Sequence, residues 1–211
     1  MNWFSGYELC PRKAIEASET ISGTWNPAKR SRFPVGLPER EALHPLMNCR
    51  PCPADPVSMR LADHPSGSSP GTYALHLALE APVELELGRL GPIRLEPGFY
   101  LYFGSAFGPG GVAARIRHHL RTAPRAHWHI DHLRRAAEVC GVWYTFDAAR
   151  LECTWASAAS ALRGVAAIPR FGSSDCRCDS HLLMAQSPPT LSAFRRRLNA
   201  LRPGCARIRQ L

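Results

Sequence analysis

Two apolar, β-leaning runs at residues 72–79 and 99–103 constrain this 211-residue chain most, because they bracket a segment that reads as a hairpin. Between them Val83-Glu84-Leu85-Glu86-Leu87 alternates with period two, and a turn over 88–91 leads into Ile93-Arg94-Leu95. A helical pattern follows. Val112, Ile116 and Leu120 share one face of a segment reaching Arg121. The spacing predicts a second helix over 128–137, a strand over 139–146 and a third helix over 148–163 with Asp147 as its cap and Gly164 as its stop. Extended pieces fill 165–186 around a turn at 172–175. Leu191, Phe194, Leu198 and Leu201 mark a last amphipathic helix capped by Thr190. The order implies an α+β domain with an antiparallel central sheet flanked by helices.

The region before this domain is different in kind. Residues 1–69 carry prolines at 11, 27, 34, 38, 45, 51, 53, 56 and 65 and show no sustained periodicity, which predicts disorder ending in a linker at 65–70. The expected division is therefore 1–69, a domain over 70–186, and a basic C-terminal helix and tail over 187–211. That last stretch holds six arginines and no acidic residue, so it carries most of the net charge of +9. All but two of the cations are arginine, a bias that discounts the basic balance as evidence for nucleic acid. No run of eighteen apolar residues and no apolar leader is present, so a soluble, cytoplasmic protein with no membrane partner is expected. The eight cysteines do not space like a secreted disulfide framework, and free thiols are expected.

The chemistry-bearing residues are scattered along the domain. Tyr73 follows Gly71-Thr72 on the first strand, and Tyr102 precedes Phe103-Gly104 on the later one. Arg115 and His119 lie four apart on the helix after it, and Glu152 falls near the start of another. Singly each has an ordinary explanation: an edge-of-core tyrosine, a solvated cation, a carboxylate complementing a helix dipole. Together they supply a phenolic proton acceptor, a cation for a phosphate and an oxygen ligand for a divalent metal, the parts needed to cut a phosphodiester.

Gly71-Thr-Tyr73 and Tyr102-Phe-Gly104 resemble the two halves of the GIY-YIG nuclease signature, and Arg115-Ile-Arg-His-His119 resembles that family's Arg-x-x-x-His. The branch it is most similar to is the DUF123 group. The shared phrases are Arg89-Leu-Gly91, Tyr102-Phe-Gly-Ser-Ala106, Gly108-Pro-Gly-Gly111, His127-Trp-His-Ile-Asp131, Val142-Trp-Tyr-Thr145, Arg150-Leu-Glu-Cys153 and Phe171-Gly-Ser-Ser-Asp-Cys-Arg-Cys178. The resemblance covers roughly 70–185. It implies a small GIY-YIG-like domain with an extra hairpin between the signature strands, and an endonuclease hydrolysing DNA, with a role in repair or processing. It also implies Mg²⁺ or Mn²⁺ on Glu152, Arg115 as phosphate clamp, Tyr73 as base, and Tyr102 and His119 as orienting or proton-sharing groups. Two departures stand out. The short signature joins its tyrosines by a tight hairpin, and its isoleucines are Thr72 and Phe103 here. The alternative readings are a non-catalytic nucleic-acid-binding module of the same fold and a zinc-binding interaction domain.

Further groups stay open between two readings each. His127, His129 and Asp131 suit a metal or phosphate, or a structural hydrogen-bond network with Asp131 capping a helix. Cys176, Cys178 and His181 offer three zinc ligands if a fourth comes from Cys153 or elsewhere, or else a turn with packed thiols. Cys49 and Cys52 form a CxxC with no second half nearby. Arg117, Arg195, Arg196 and Arg197 are candidate DNA contacts or a solvated basic surface.

Overall fold

The central strand β1 (Thr72–Leu79) is buried along most of its length, which is why its sequence reads as an almost continuous apolar run rather than an alternating one. The computed structural model describes residues 65–121 and 126–211. The disorder expected for 1–69 and the Cys49/Cys52 pair therefore lie outside the described residues, apart from 65–69. Strand β1 is followed by β2 (Val83–Glu86), a 3₁₀ turn (Gly88–Leu90), β3 (Pro92–Leu95) and β4 (Gly98–Ser105). Then come α1 (Gly111–Leu120), α2 (His129–Leu133), β5 (Glu138–Thr145), α3 (Glu152–Ser160), β6 (Val165–Ala167), β7 (Leu182–Ala185), α4 (Leu191–Leu201) and β8 (Arg209–Gln210).

Six strands form one sheet in the order β6-β7-β4-β1-β5-β8, and every neighbouring pair is antiparallel. The fold is thus the expected α+β class with an antiparallel central sheet. Strands β2 and β3 pair only with each other, which makes the inserted hairpin a small separate sheet. The period-two side-chain alternation of β1 and β4 sorts the core into two layers. Tyr73, Leu75, Leu77 and Tyr100 pack with Val112 and Ile116 of α1, Ile130 and Leu133 of α2, and Leu85 and Leu95 of the hairpin. Ala74, Leu101, Phe103 and Trp143 pack on the other face with Trp155 of α3 and Phe194 and Leu198 of α4.

Four expectations change. Helix α2 spans only His129–Leu133: beyond it the chain tightens into turns, with Ala136 and Ala137 both donating to the Leu133 carbonyl, because β5 already begins at Glu138. Asp147 caps no helix. Its carboxylate accepts from the Ala149 and Ala206 amides, and α3 starts five residues later, at Glu152. The expected linker packs against α1, where the Val112 amide donates to the Ser69 carbonyl at 3.0 Å and so satisfies one of the orphan donors of a helix lacking a side-chain cap. Gly111 permits this approach: a Cβ there would meet the Ser69 oxygen at 2.2 Å. The C-terminal stretch is part of the fold, since β8 pairs with β5 as an edge strand and Leu211 exchanges both backbone hydrogen bonds with Val142. Helix α4 keeps its predicted cap, with Thr190 Oγ1 accepting from the Ala193 amide. Among the described residues no helix is long and apolar enough to cross a membrane.

The buried side chains of the two layers generate two stability predictions. Phe194 is fully buried and lies 4.9 Å from Trp143, 5.3 Å from Trp155 and 6.2 Å from Phe103, ring centre to ring centre. Phe194→Ala is expected to cost about 3–5 kcal/mol in chemical unfolding, through lost transfer energy and the cavity left behind. His76, edge-on to Trp143 at 4.0 Å, and His119 are both pushed down to about 3, chiefly by burial. The unfolded chain then binds more protons than the native one between about pH 6.5 and 3, so stability falls as pH drops through that window, by up to about 1.4 kcal/mol per pH unit for each histidine. Urea titrations at pH 7, 6 and 5 check this, and His76→Leu should reduce the slope; an unchanged slope would remove His76 from the account.

Candidate active site and a neighbouring thiol cluster

Backbone register brings Tyr73 and Tyr102 to one end of the sheet. Tyr73 pairs with Gly104 and Leu75 with Tyr102, so both phenols project from the same face toward α1. Gly104 is required by this packing, since a Cβ there would lie 2.5 Å from the Tyr73 hydroxyl. Gly71 is equally constrained, with the Thr145 carbonyl oxygen 1.9 Å from where its Cβ would be. Helix α1 crosses above. Its last turn brings His119 Nε2 to 2.8 Å from the Tyr73 hydroxyl, with both side chains almost wholly buried. Arg115, one turn earlier and half-buried, lays its guanidinium over the Trp128 ring at 4.2 Å.

Glu152 arrives from the opposite side of the sheet. Helix α3 packs in the second layer, and its first residue comes round the sheet end because the Leu151 amide donates to Thr72 Oγ1 at 3.0 Å. Thr72 is fully buried, so its hydroxyl gives the isoleucine departure a structural role. One Glu152 oxygen, Oε2, is buried with no hydrogen-bond partner. Tyr73, Tyr102, Arg115, His119 and Glu152 are therefore gathered at one place. Tyr102 stands edge-on to His119 at 6.3 Å, and the charges of Arg115 and Glu152 reach both phenols. Tyr73 and His119 are the buried members, while Tyr102, Arg115 and Glu152 retain partial exposure.

The electrostatics favour neutral groups at rest. Burial pushes the Tyr73 phenol well above its ordinary range, Tyr102 adds to this, and Arg115 opposes it. The Tyr102 phenol is raised in the same way, again chiefly by burial and against Arg115. His119, depressed to about 3, is an unprotonated acceptor at neutral pH. Its Nε2 faces the Tyr73 hydroxyl, while Nδ1 is buried with no hydrogen-bond partner among the described residues and lies 3.9 Å from Asp131 Oδ1.

Asp131 organises the surrounding shell. Its Oδ2 accepts from the His127 and Trp128 amides at 2.9 and 3.0 Å, so it closes a capping box from within α2 with Trp128 as the N-cap, and its Oδ1 meets His118 Nε2 at 3.1 Å. Burial opposes ionisation of its carboxyl, yet the two amides and His118 together hold it below the usual range. His118, His119 and Asp131 have ligand atoms within 4.8 Å of one another, whereas His127 is exposed and gives Asp131 only its amide, and His129 packs edge-on to Phe171. His118 and Trp128 are the functional candidates that sequence reasoning passed over. Their signal was spacing: His118 shares α1 with His119, and Trp128 touches Arg115, His118 and His119. Arg134 secures the end of α1 by donating from Nε to the His119 carbonyl at 2.8 Å.

Beside Glu152, Cys153 meets the loop before β7. Cys153, Cys176, Cys178 and His181 present ligand atoms all within 4.8 Å of one another. The fourth partner is thus Cys153, from the first turn of α3. His181 Nε2 lies 3.4 Å from Cys176 Sγ and 3.6 Å from Cys153 Sγ. Hydrogen bonds from Cys178 and then His181 pull the Cys153 thiol down, while burial raises Cys176, and the hydrogen bond to Cys153 is the first cause raising Cys178. The basic residues do not gather here. Arg117 is exposed on α1, Arg195 donates to the Ile208 carbonyl, and Arg196 and Arg197 project from α4 in the other core layer.

Removing the Thr72 hydroxyl tests how Glu152 is positioned. Thr72→Val leaves the Leu151 amide buried without its acceptor and should cost about 1–3 kcal/mol in unfolding experiments, with Thr72→Ser close to wild type. Equal stability of Thr72→Val and wild type would mean that this hydrogen bond does not hold α3.

No match was found among proteins of curated function or among solved structures. A family model described as "Domain of unknown function DUF123" matches residues 72–202, more than half of the chain, from the strand bearing Tyr73 to the end of α4. The chain therefore belongs to the DUF123 family.

Proposed function

We propose that this domain is a metal-dependent phosphodiesterase of the GIY-YIG kind that hydrolyses DNA. The observation that carries the proposal is the Tyr73 hydroxyl at 2.8 Å from a neutral His119, with Tyr102, Arg115 and Glu152 around it. A buried phenol is a poor base until something removes its proton and a cation stabilises the phenolate. His119 is placed for the first task and Arg115 for the second. Burial and the nearby His118, Arg115 and Arg134 oppose the imidazolium that results, and Asp131, near the other ring nitrogen, is the group that favours it.

The proton path then balances. As a water oxygen attacks phosphorus, its proton passes to the Tyr73 oxygen while the Tyr73 proton passes to His119 Nε2. The bond to the leaving oxygen breaks, and that oxygen takes a proton from solvent. Arg115 holds a non-bridging phosphate oxygen by charge-assisted hydrogen bonds, with Trp128 fixing its guanidinium plane. Tyr102 orients the water.

The unpartnered Oε2 of Glu152 fits a divalent cation, which takes oxygen ligands. Mg²⁺ or Mn²⁺ held there would supply charge neutralisation at the phosphate and leaving oxygen. A role in DNA repair or processing, with DNA as partner in the cytoplasm, accords with such chemistry.

Cleavage of duplex, branched and single-stranded DNA by the full chain with Mg²⁺ or Mn²⁺ tests the proposal. Tyr73→Phe, Arg115→Ala and Glu152→Gln are each expected to lower the single-turnover rate by about 10²-fold or more. Cleavage unaffected by Glu152→Gln would sink the cation assignment. Binding without cleavage on every substrate would favour the non-catalytic module.

A further inference from the structure

The cluster of Cys153, Cys176, Cys178 and His181 is assembled from two separate parts of the chain. Cys153 comes from the first turn of α3, and the other three come from the loop between β6 and β7. That loop is shaped by its own hydrogen bonds: the Arg170 amide donates to the Asp179 carbonyl at 2.7 Å and the His181 amide to the Phe171 carbonyl at 2.8 Å. Its turn at Gly172 adopts φ 69°, which favours glycine. The Phe103 amide donates to the His181 carbonyl at 2.9 Å, so the loop is also fastened to β4.

The geometry points to a structural zinc site of the Cys₃His type at this cluster, separate from the cation proposed at Glu152. In a tetrahedral zinc centre with Zn–S of about 2.3 Å and Zn–N of about 2.0–2.1 Å, a sulfur and a nitrogen ligand lie about 3.6 Å apart. His181 Nε2 stands 3.6 Å from Cys153 Sγ and 3.4 Å from Cys176 Sγ, which matches that edge. The Cys178 amide donates to Cys176 Sγ at 3.4 Å, the kind of outer contact that stabilises a metal-bound thiolate. All four donors fall within 4.8 Å, a spread suited to one ion and too small to enclose an iron–sulfur cluster. The ligand set is complete and partly to fully buried, as in closed structural sites rather than open catalytic ones.

The site would act as a staple between α3, the loop and β4. Through Cys153 it also fixes the neighbouring Glu152. This consequence rests on the proposed role of Glu152, whereas the presence of zinc does not.

Metal content of the full chain, purified without added chelator, tests the inference. One zinc per chain is expected by elemental analysis, reduced at least tenfold in Cys176→Ser and in Cys178→Ser and retained in Cys49→Ser/Cys52→Ser and in Cys140→Ser. Because a ligand variant can fail to fold, the wild-type chain is also loaded with Co²⁺. The visible bands of a tetrahedral ion and a thiolate-to-metal charge-transfer band are expected, and Zn²⁺ should bleach both. A brown iron chromophore, a Cys153–Cys178 disulfide, four reactive thiols with no stoichiometric metal, or zinc lost only on mutating Cys49 and Cys52 would each overturn the assignment. None of these readouts depends on DNA cleavage, so failure of one proposal is distinguishable from failure of the other.

Discussion

The close approach of Tyr73 to Gly104 across the β1–β4 ladder is the contact on which the site geometry depends. Only a strand partner without a side chain lets the phenol lie flat enough to reach His119, and only a buried, doubly flanked β1 holds the ring in one place. Gly71 extends the same constraint to β5, because its backbone runs against the Thr145 carbonyl. Gly71 and Gly104 are thus explained by distances within this chain: each marks where backbone or ring comes too near for a Cβ. A one-residue slip of β1 would turn Tyr73 to the α3 layer and dismantle the cluster.

Thr72 shows how the two layers are joined at the site. Its side chain points to the opposite face from Tyr73, where its hydroxyl receives the first amide before α3. Consecutive residues of one strand therefore position groups from different layers: Tyr73 meets α1, and Thr72 brings in the helix bearing Glu152 and Cys153. This is how a carboxylate from the far side of the sheet comes within electrostatic reach of both phenols.

Most of the architecture was legible because burial and period coincide. Residues 72–79 had to be a strand buried on both faces, and 83–95 a hairpin, whichever fold contained them. What the sequence could not disclose were features set by competition between neighbours. Asp147 has the chemistry of a helix cap, but the Ala149 and Ala206 amides claim its oxygens, so α3 starts later. The apolar pattern over 128–137 continues past the end of α2 because Ala137 is buried in a turn, and periodicity does not distinguish a buried turn from another helical turn. The same limit explains the histidines. His127, His129 and Asp131 lie close in sequence, whereas the side chain that meets Asp131 is His118, on a different helix thirteen residues earlier. Ligand sets drawn from separate elements have no sequence period.

The juxtaposition of Glu152 and Cys153 makes the start of α3 the point where chemistry and stability meet. A carboxylate at a helix terminus is held only as firmly as that terminus, whose first amides have no intrahelical acceptors. Two restraints act on that terminus, the Thr72 hydroxyl on Leu151 and the thiol–imidazole cluster on Cys153. Each acts within one residue of Glu152 and from a different direction. The helix dipole opposes neither, since both a carboxylate and a thiolate are favoured at a helix N-terminus. An unpaired buried carboxylate oxygen is costly in a rigid setting, and this chain retains one at Glu152 Oε2 while satisfying the polar groups on either side of it. A divalent cation, which takes oxygen ligands, would satisfy that oxygen without disturbing either restraint.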